Sequence, residues 1–139
     1  FARLGRLFLD SGRWNGRQLL PESWAEQATA KQVANGTDPD KDWTQGYGYQ
    51  FWRCRHSAFR GDGAFGQFCL VLPKFDAVIA ITADTQDMQG ELNVVWDHLL
   101  SAFQTAPLPA NDAAAQQLQS LLATLAAVGC AAMRLRYRR

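Results

Sequence analysis

Residues Gly61–Gln67 read GDGAFGQ, and the chain runs on from there as FCLVLPKFDAVIAITA to Ala83. The first six residues match G-x-G-x-x-G. A dinucleotide-binding loop with that pattern needs a strand before the glycines and a helix after them, because the helix N-terminus holds the pyrophosphate. Here the third glycine leads into QFCLVL, which is nearly all apolar and reads as a strand. Asp84 stands 18 residues after Gly66, about where a ribose-binding acid would sit. Yet the nine residues 67–75 that separate Gly66 from Asp76 are taken by the strand, and no helix fits. A phosphate-binding P-loop is excluded because no G-K-[ST] occurs anywhere. The glycines therefore serve a turn entering an antiparallel strand, where small residues let a second backbone or a ligand approach closely.

Outward from this stretch, three strand-like runs succeed one another: YGYQFWRC, with Tyr47, Tyr49 and Phe51 in alternation, then QFCLVL, then AVIAITA. Only Pro73-Lys74-Phe75-Asp76 joins the last two, too short for a crossover helix, so they pair antiparallel. Upstream, FARLGRLFLDSG places Leu4, Leu7 and Phe8 on one helical face, and Gly12 stops it. Leu20-Pro21-Glu22-Ser23-Trp24 reads as the start of a second helix, running to about Gln32. ANGTDPDKDWTQG is a loop by composition. Downstream, Leu92, Val95, Trp96, Leu99, Leu100 and Phe103 mark a helix over 91–103 with one buried stripe. Residues 105–111 form a proline-bearing linker. Residues 112–139 are a helix with Leu118, Leu121, Leu122 and Leu125 on one face, followed by a basic tail.

The chain has 139 residues, 47% of them hydrophobic and 19% charged, which favours one packed domain over disorder. A net charge of +1 supplies no general attraction to nucleic acid or to membranes. The terminal cluster Arg134, Arg136, Arg138 and Arg139 reads as a solvated tail. No apolar run approaches the ~18 residues a membrane span needs. Cys54, Cys69 and Cys130 show no paired spacing, and Cys69 reads as a buried small hydrophobe. The start at Phe1, inside an amphipathic segment that carries Arg3 and Arg6 and is unlike a signal peptide, predicts a fragment of something longer.

The segment RGDGAFGQFCLVLPKFDAVIAITA resembles the third motif region of the serine β-lactamase and penicillin-binding-protein-like hydrolases, nearest the class C and esterase branch. FARLGRLFLDSGRWNGRQLLPESW is similar to the family's helix followed by an N-G-x-x-L-L-P-E-x-W turn and helix. WTQGYGYQFW is similar to its G-Y-G-x-x-W strand. The resemblance covers roughly residues 1–104. It implies an α+β fold: an antiparallel three-stranded sheet flanked by helices, part of an α/β/α sandwich, with one sheet face left exposed. It implies hydrolysis of an ester, a β-lactam or another amide through an acyl-serine, with no cofactor or metal. The family's cationic triplet falls on Gly61, Asp62 and Gly63, where the Lys or His is replaced by glycine or, on a one-residue slip, by Asp62 with the sign reversed, so the cationic member is missing either way. The Ala64 backbone N–H falls where the family supplies an oxyanion donor, a role indifferent to the side chain. Tyr49, with Trp52 near it, is expected to line the substrate cleft.

The family's nucleophile is Ser in S-x-x-K, with the lysine as activator. None of Ser11, Ser23, Ser57, Ser101 and Ser120 has lysine three residues on, and neither Tyr-x-Asn nor Ser-x-Asn occurs. In the family both motifs lie N-terminal to this region. The chain is therefore expected to be the C-terminal part of such a hydrolase, inactive alone, associating with a missing N-terminal half or with itself. The alternative is a non-catalytic module of the same fold kept for binding or oligomer contacts. Full-length relatives are often periplasmic or exported, while the sequence leaves this chain's location open. His56, His98, Asp10, Asp84 and Asp87 read as surface or capping residues rather than metal ligands or catalytic pairs.

Overall fold

A computed structural model of the chain describes residues 1–104 and 106–136. It divides into two compact units, residues 1–103 and 104–139. In the first unit, helix α1 (Ala2–Leu9) leads into a short hairpin of β1 (Arg13–Trp14) and β2 (Arg17–Gln18), and then into α2 (Glu22–Thr29). Four strands come next: β3 (Trp52–Arg53), β4 (Phe59–Gly63), β5 (Gln67–Leu72) and β6 (Ala77–Ile81). They form one antiparallel sheet in the order β3-β4-β5-β6. Helix α3 (Met88–Val94) continues as a π turn over Val95–Leu99 and a 3-10 turn over Leu100–Ala102. The second unit contains α4 (Asp112–Arg136), whose start is capped by Asn111 through the Ala114 N–H at 3.0 Å. Leu118, Leu121, Leu122 and Leu125 of α4 are exposed.

The α+β class holds, but the sheet has four strands rather than three, and a separate two-stranded sheet precedes it. The additional strand is β4. Phe59-Arg60-Gly61-Asp62-Gly63 carries two glycines and two charges, so neither apolar alternation nor β-propensity marks it. Pairing on both sides makes it a strand all the same. Conversely, YGYQFWRC contributes only Trp52–Arg53. Its front half folds back on itself: the Gly48 N–H donates to Phe51 O at 2.7 Å, Gln50 takes φ +65°, and Tyr47 bridges Trp52.

Both faces of β5 are covered, so the expectation of an exposed sheet face is corrected. Phe68, Cys69, Leu70, Val71 and Leu72 are all 5% exposed or less. On one face Phe68, Leu70 and Leu72 pack with Leu92, Val95 and Trp96 of the 88–102 helix. Each such aliphatic or aromatic side chain contributes about 1.5–3 kcal/mol by leaving water. On the other face α1 lies against β5 and β6 through Gly5, where a Cβ would stand 2.7 Å from Cys69 Sγ and Val78 Cγ1. The close approach rests on glycine, and Leu4 stays half exposed. The stripe expected on the 91–103 helix also shifts. Leu92, Val95 and Trp96 are buried, but Leu99 is exposed, because the π turn adds a residue to the repeat and rotates the later positions.

Among the described residues no helix is long and apolar enough to cross a membrane. Cys54 and Cys69 are buried free thiols, whereas the side chains of Cys130 and of the terminal arginines lie outside the described residues.

Candidate functional site

The stretch Gly61–Gln67 is the tip of a β-hairpin. β4 and β5 pair from Phe59↔Val71 to Gly63↔Gln67, leaving Ala64-Phe65-Gly66 as a three-residue turn. Phe65 and Gly66 take φ +63° and +86°, the pair of positive φ values found at the centre of a type I′ turn. A strand, not a helix, comes after Gly66. The dinucleotide reading therefore fails in three dimensions for the reason it fails in sequence. The tip is held from the side: the Thr85 N–H donates to Phe65 O at 3.1 Å, and Gln67 Nε2 donates to Ala83 O.

Backbone alternation decides what the tip can offer. The Cys54 N–H donates to Ala58 O at 2.9 Å, and Trp52 pairs with Arg60, so Ala58 and Arg60 turn their backbone groups toward β3. Along β4 the odd residues Phe59, Gly61 and Gly63 therefore face β5, while Asp62 faces the other way. β3 ends its pairing at Phe59 and Arg60. Beyond that point, among the described residues, no strand lies beside Asp62 and Ala64. The Asp62 N–H and C=O thus lie along an open strand edge, and Ala64 begins the turn at its end.

Side chains of Arg60 and Asp62 project from the face shared with Phe68 and Leu70, their cross-strand partners. Arg60 is fully buried. Its Nε and Nη2 both lie 2.9 Å from Asp62 Oδ2, and its Nη1 donates to Asp42 O at 3.1 Å and to Cys54 Sγ at 3.0 Å. The guanidinium sits 4.2 Å from the Trp43 ring centre, with Trp52 and Phe68 at 5.7 and 5.6 Å. Burial raises the Asp62 carboxyl above its ordinary pKa, and Arg60 pulls it part of the way back. Burial likewise pushes the Cys54 thiol up to about 11 in spite of Arg60. Asp62 is therefore a bound structural charge rather than a free acid.

Behind this pair stands a second buried carboxylate. Asp42, fully buried, accepts from the Arg55 N–H (2.9 Å), Arg55 Nε and Nη2 (3.1 and 3.0 Å), Gln89 Nε2 (2.8 Å) and Trp96 Nε1 (2.9 Å). Burial alone would raise its pKa, but these donors more than offset that and hold it below the usual carboxylate value. Glu91, on α3, faces the hairpin tip. Its Oε2 is buried without a hydrogen-bond partner, and burial raises its pKa.

Gly61, Asp62, Gly63 and Ala64 thus come together as one strand end and turn. Tyr49 lies instead on the 47–52 reversal, stacked on Trp24 of α2 at 5.5 Å with both rings about half exposed. His56 and His98 are exposed, and the Asp87 side chain caps α3 by accepting the Gly90 N–H at 2.9 Å. Among the described residues no group of three or more His, Cys, Asp or Glu side chains is placed to hold a metal ion. Sequence reasoning misses Arg60 and Asp42. Arg60 has a signal, since residues two apart on a strand share a face and Arg60–Asp62 carry opposite charges. Asp42 has none, being one acid among three in an irregular loop.

No family model and no curated protein matches the chain. Among solved structures it is similar to a Bacillus anthracis protein provisionally described as a 6-aminohexanoate-dimer hydrolase, with 28% sequence identity and a TM-score of 0.52. The likeness covers 73% of this chain and 26% of that one, so the chain spans about a quarter of its neighbour's length. It links the α+β fold to that of a hydrolase, in keeping with the β-lactamase-like resemblance of the motifs.

Proposed function

We propose that this chain forms one wall of the active-site cleft of a β-lactamase-like serine hydrolase. The complete protein cleaves an ester, a β-lactam or another amide through an acyl-serine. The observation that carries this reading is the open edge of β4 at Asp62, which runs out at Ala64, where the resemblance places a backbone oxyanion donor. In acyl transfer a fixed backbone donor of this kind stabilises the developing oxyanion, and its removal typically costs about 10²–10³ in rate. Alongside it, the Asp62 N–H and C=O can pair with an extended substrate in the manner of an added strand. The Arg60–Asp62–Asp42 framework keeps that edge rigid. The neighbour's description as a hydrolase of an amide dimer supports amide or ester chemistry for the whole protein. Tyr49 would line the same cleft, its exposed ring backed by Trp24.

The nucleophile and its lysine are not among these 139 residues, since no S-x-x-K occurs. On this reading the chain is inactive alone and associates with the serine-bearing part. The edge of β6 away from β5, which has no strand beside it among the described residues, suits that association. Two measurements test the reading. The purified chain, given a chromogenic ester, a chromogenic β-lactam and a serine-directed covalent probe, is expected to show no turnover and no adduct by mass spectrometry. A stoichiometric adduct on any of its five serines would place the nucleophile here and overturn that part. The coding sequence before Phe1 is expected to contain an in-frame Ser-x-x-Lys segment. A start codon immediately before Phe1 would favour the non-catalytic module instead.

A further inference from the structure

We infer that the end of the β4–β5 hairpin away from Ala64 carries a binding site for a small organic ammonium ion with an apolar body, of the size of one aromatic ring and a short arm. A cavity of about 180 Å³ opens there, between the end of α1, helix α2 and the start of β4. Its apolar lining includes Ala25 and Phe59, both buried, and the half-buried Phe8. The Phe51 ring lies 4.5 Å from that of Phe8 and 5.6 Å from that of Phe59, so one aromatic stack fixes both walls. Between them α2 presents only the methyl group of Ala25, and the space stays open. An apolar cavity of roughly 150 Å³ holds a benzene molecule. One ring with a one-carbon arm therefore suits this volume.

Charge selects the ligand. The polar lining is Ser11, Glu26 and Thr29, and Glu26 is its one ionisable group. Among the described residues the exposed Glu26 carboxylate enters no ion pair. The cations nearby are turned to other acceptors. Arg53 stands 6.0 Å from the Phe59 ring centre and donates to Thr29 O at 2.9 Å and Ser57 O at 3.3 Å, two carbonyls that offset its charge. Arg6 lies 2.7 Å from Asp10 and 3.1 Å from Asp76. The Phe1 ammonium belongs to the other end of α1, where it acts on Cys69. Thr29 Oγ1 donates to Ala25 O at 3.0 Å, which leaves its own lone pairs to accept an N–H. An ammonium group at Glu26 with its apolar body between the rings of Phe8 and Phe59 satisfies both parts of the lining. A neutral ring would gain only the apolar part, and an anion would meet a like charge.

The test titrates benzylamine, benzyl alcohol and benzoate, each one ring with one polar end, into the ¹⁵N-labelled full chain at neutral pH. Benzylamine is expected to give saturable shifts at the Ser11, Ala25, Glu26 and Thr29 amides. It should bind about two- to fivefold more tightly than benzyl alcohol, the range for one exposed charge pair, with benzoate weakest. Glu26→Gln, on the exposed side of α2, is expected to keep a dispersed spectrum and to lower benzylamine to the level of benzyl alcohol. Raising the salt to about 0.5 M should narrow the preference in the same direction. Equal binding of the amine and the alcohol to the unaltered chain overturns the inference, as does a preference for benzoate or a preference for the amine that survives Glu26→Gln. So does a titration in which these four amides do not move, or in which shifts spread over other surface acids without saturating.

Discussion

The indole N–H of Trp96 donates to Asp42 Oδ2 at 2.9 Å, joining groups 54 residues apart in the chain. The same oxygen accepts from Arg55 and Gln89. One carboxylate thereby ties the loop before β3, the β3–β4 connection and the 88–102 helix to each other. Asp42 also offers its backbone carbonyl to Arg60, which braces Asp62 on the candidate edge. The site is thus held from behind by buried charge rather than by apolar packing alone.

Removing that carboxylate leaves Arg55 half buried without its acid and the Trp96 N–H without an acceptor. Asp42→Ala is expected to cost about 3–5 kcal/mol, the range for breaking a buried ion pair from one side. Urea denaturation monitored by tryptophan fluorescence measures it. A midpoint within error of the unaltered chain would mean that the network adds nothing to the fold.

The acid limb of stability comes from the same residue. The Asp42 pKa is lowered in the folded state because its donors outweigh burial. A lowered carboxyl pKa contributes stability that is present above the unfolded value, about 3.9, and is lost as pH falls through the folded value. Stability is therefore expected to drop on acidification below about pH 4, and the drop should be shallower in Asp42→Asn. A chain equally stable at pH 6 and pH 2.5 contradicts this.

The alternation along β4 makes its own claim on amide exchange. The Gly61 and Gly63 amides face β5 within the ladder, while Asp62 faces the open edge and Ala64 lies in the turn beyond it. Gly61 and Gly63 are expected to exchange slowly, and Asp62 and Ala64 faster by about two orders of magnitude or more, as unpaired amides do. Equal protection at all four positions would show that the edge is already occupied within the chain.

Much of this is legible in the residues. The apolar runs QFCLVL and AVIAITA, with four residues between them, mark β5 and β6 and their pairing. The absence of room for a helix after Gly66 marks the hairpin. β4 is not legible as a strand, because its regularity comes from neighbours on both sides and not from its own composition. The fold-back of Tyr47–Trp52 is hidden by an aromatic alternation that a strand would also show. For the site, GDGA supplies the edge, since backbone donors need only the chain's path. Asp42 is invisible because its importance arises from partners up to 54 residues away. Tyr49, which the resemblance puts on a strand, stands instead on a turn against Trp24.

Cysteine reactivity separates burial from charge. Cys54 Sγ accepts from Arg60 at 3.0 Å, which favours thiolate, yet burial wins and raises the pKa to about 11. At pH 8 that leaves about one thiol in a thousand ionised, and the thiolate is the reacting form. Cys54 is expected to resist alkylation in the folded chain and to react readily in 6 M guanidinium, as read by peptide mapping. Fast labelling under native conditions would mean that Arg60 controls the thiol after all.

The three hairpin glycines should respond differently to one added methyl group. At Gly66 the φ of +86° costs an alanine about 1–2 kcal/mol on its own. Its Cβ would also run into Glu91 Oε2 and stand 3.1 Å from Ala83 Cβ. Gly66→Ala is therefore expected to destabilise by at least that amount and to disturb the turn that positions Ala64. Gly63→Ala meets Gln67 Cβ at 2.9 Å across a tight pair, so a smaller loss is expected as the strands give way. Gly61→Ala meets only Cys69 Cβ at 3.8 Å in extended backbone. There the unfolded chain loses freedom and the folded one loses nothing, so a gain of about 0.5–1 kcal/mol is expected. Thermal unfolding of the three variants checks the order. A Gly61→Ala variant as damaged as Gly66→Ala would mean that position 61 is glycine for the fold.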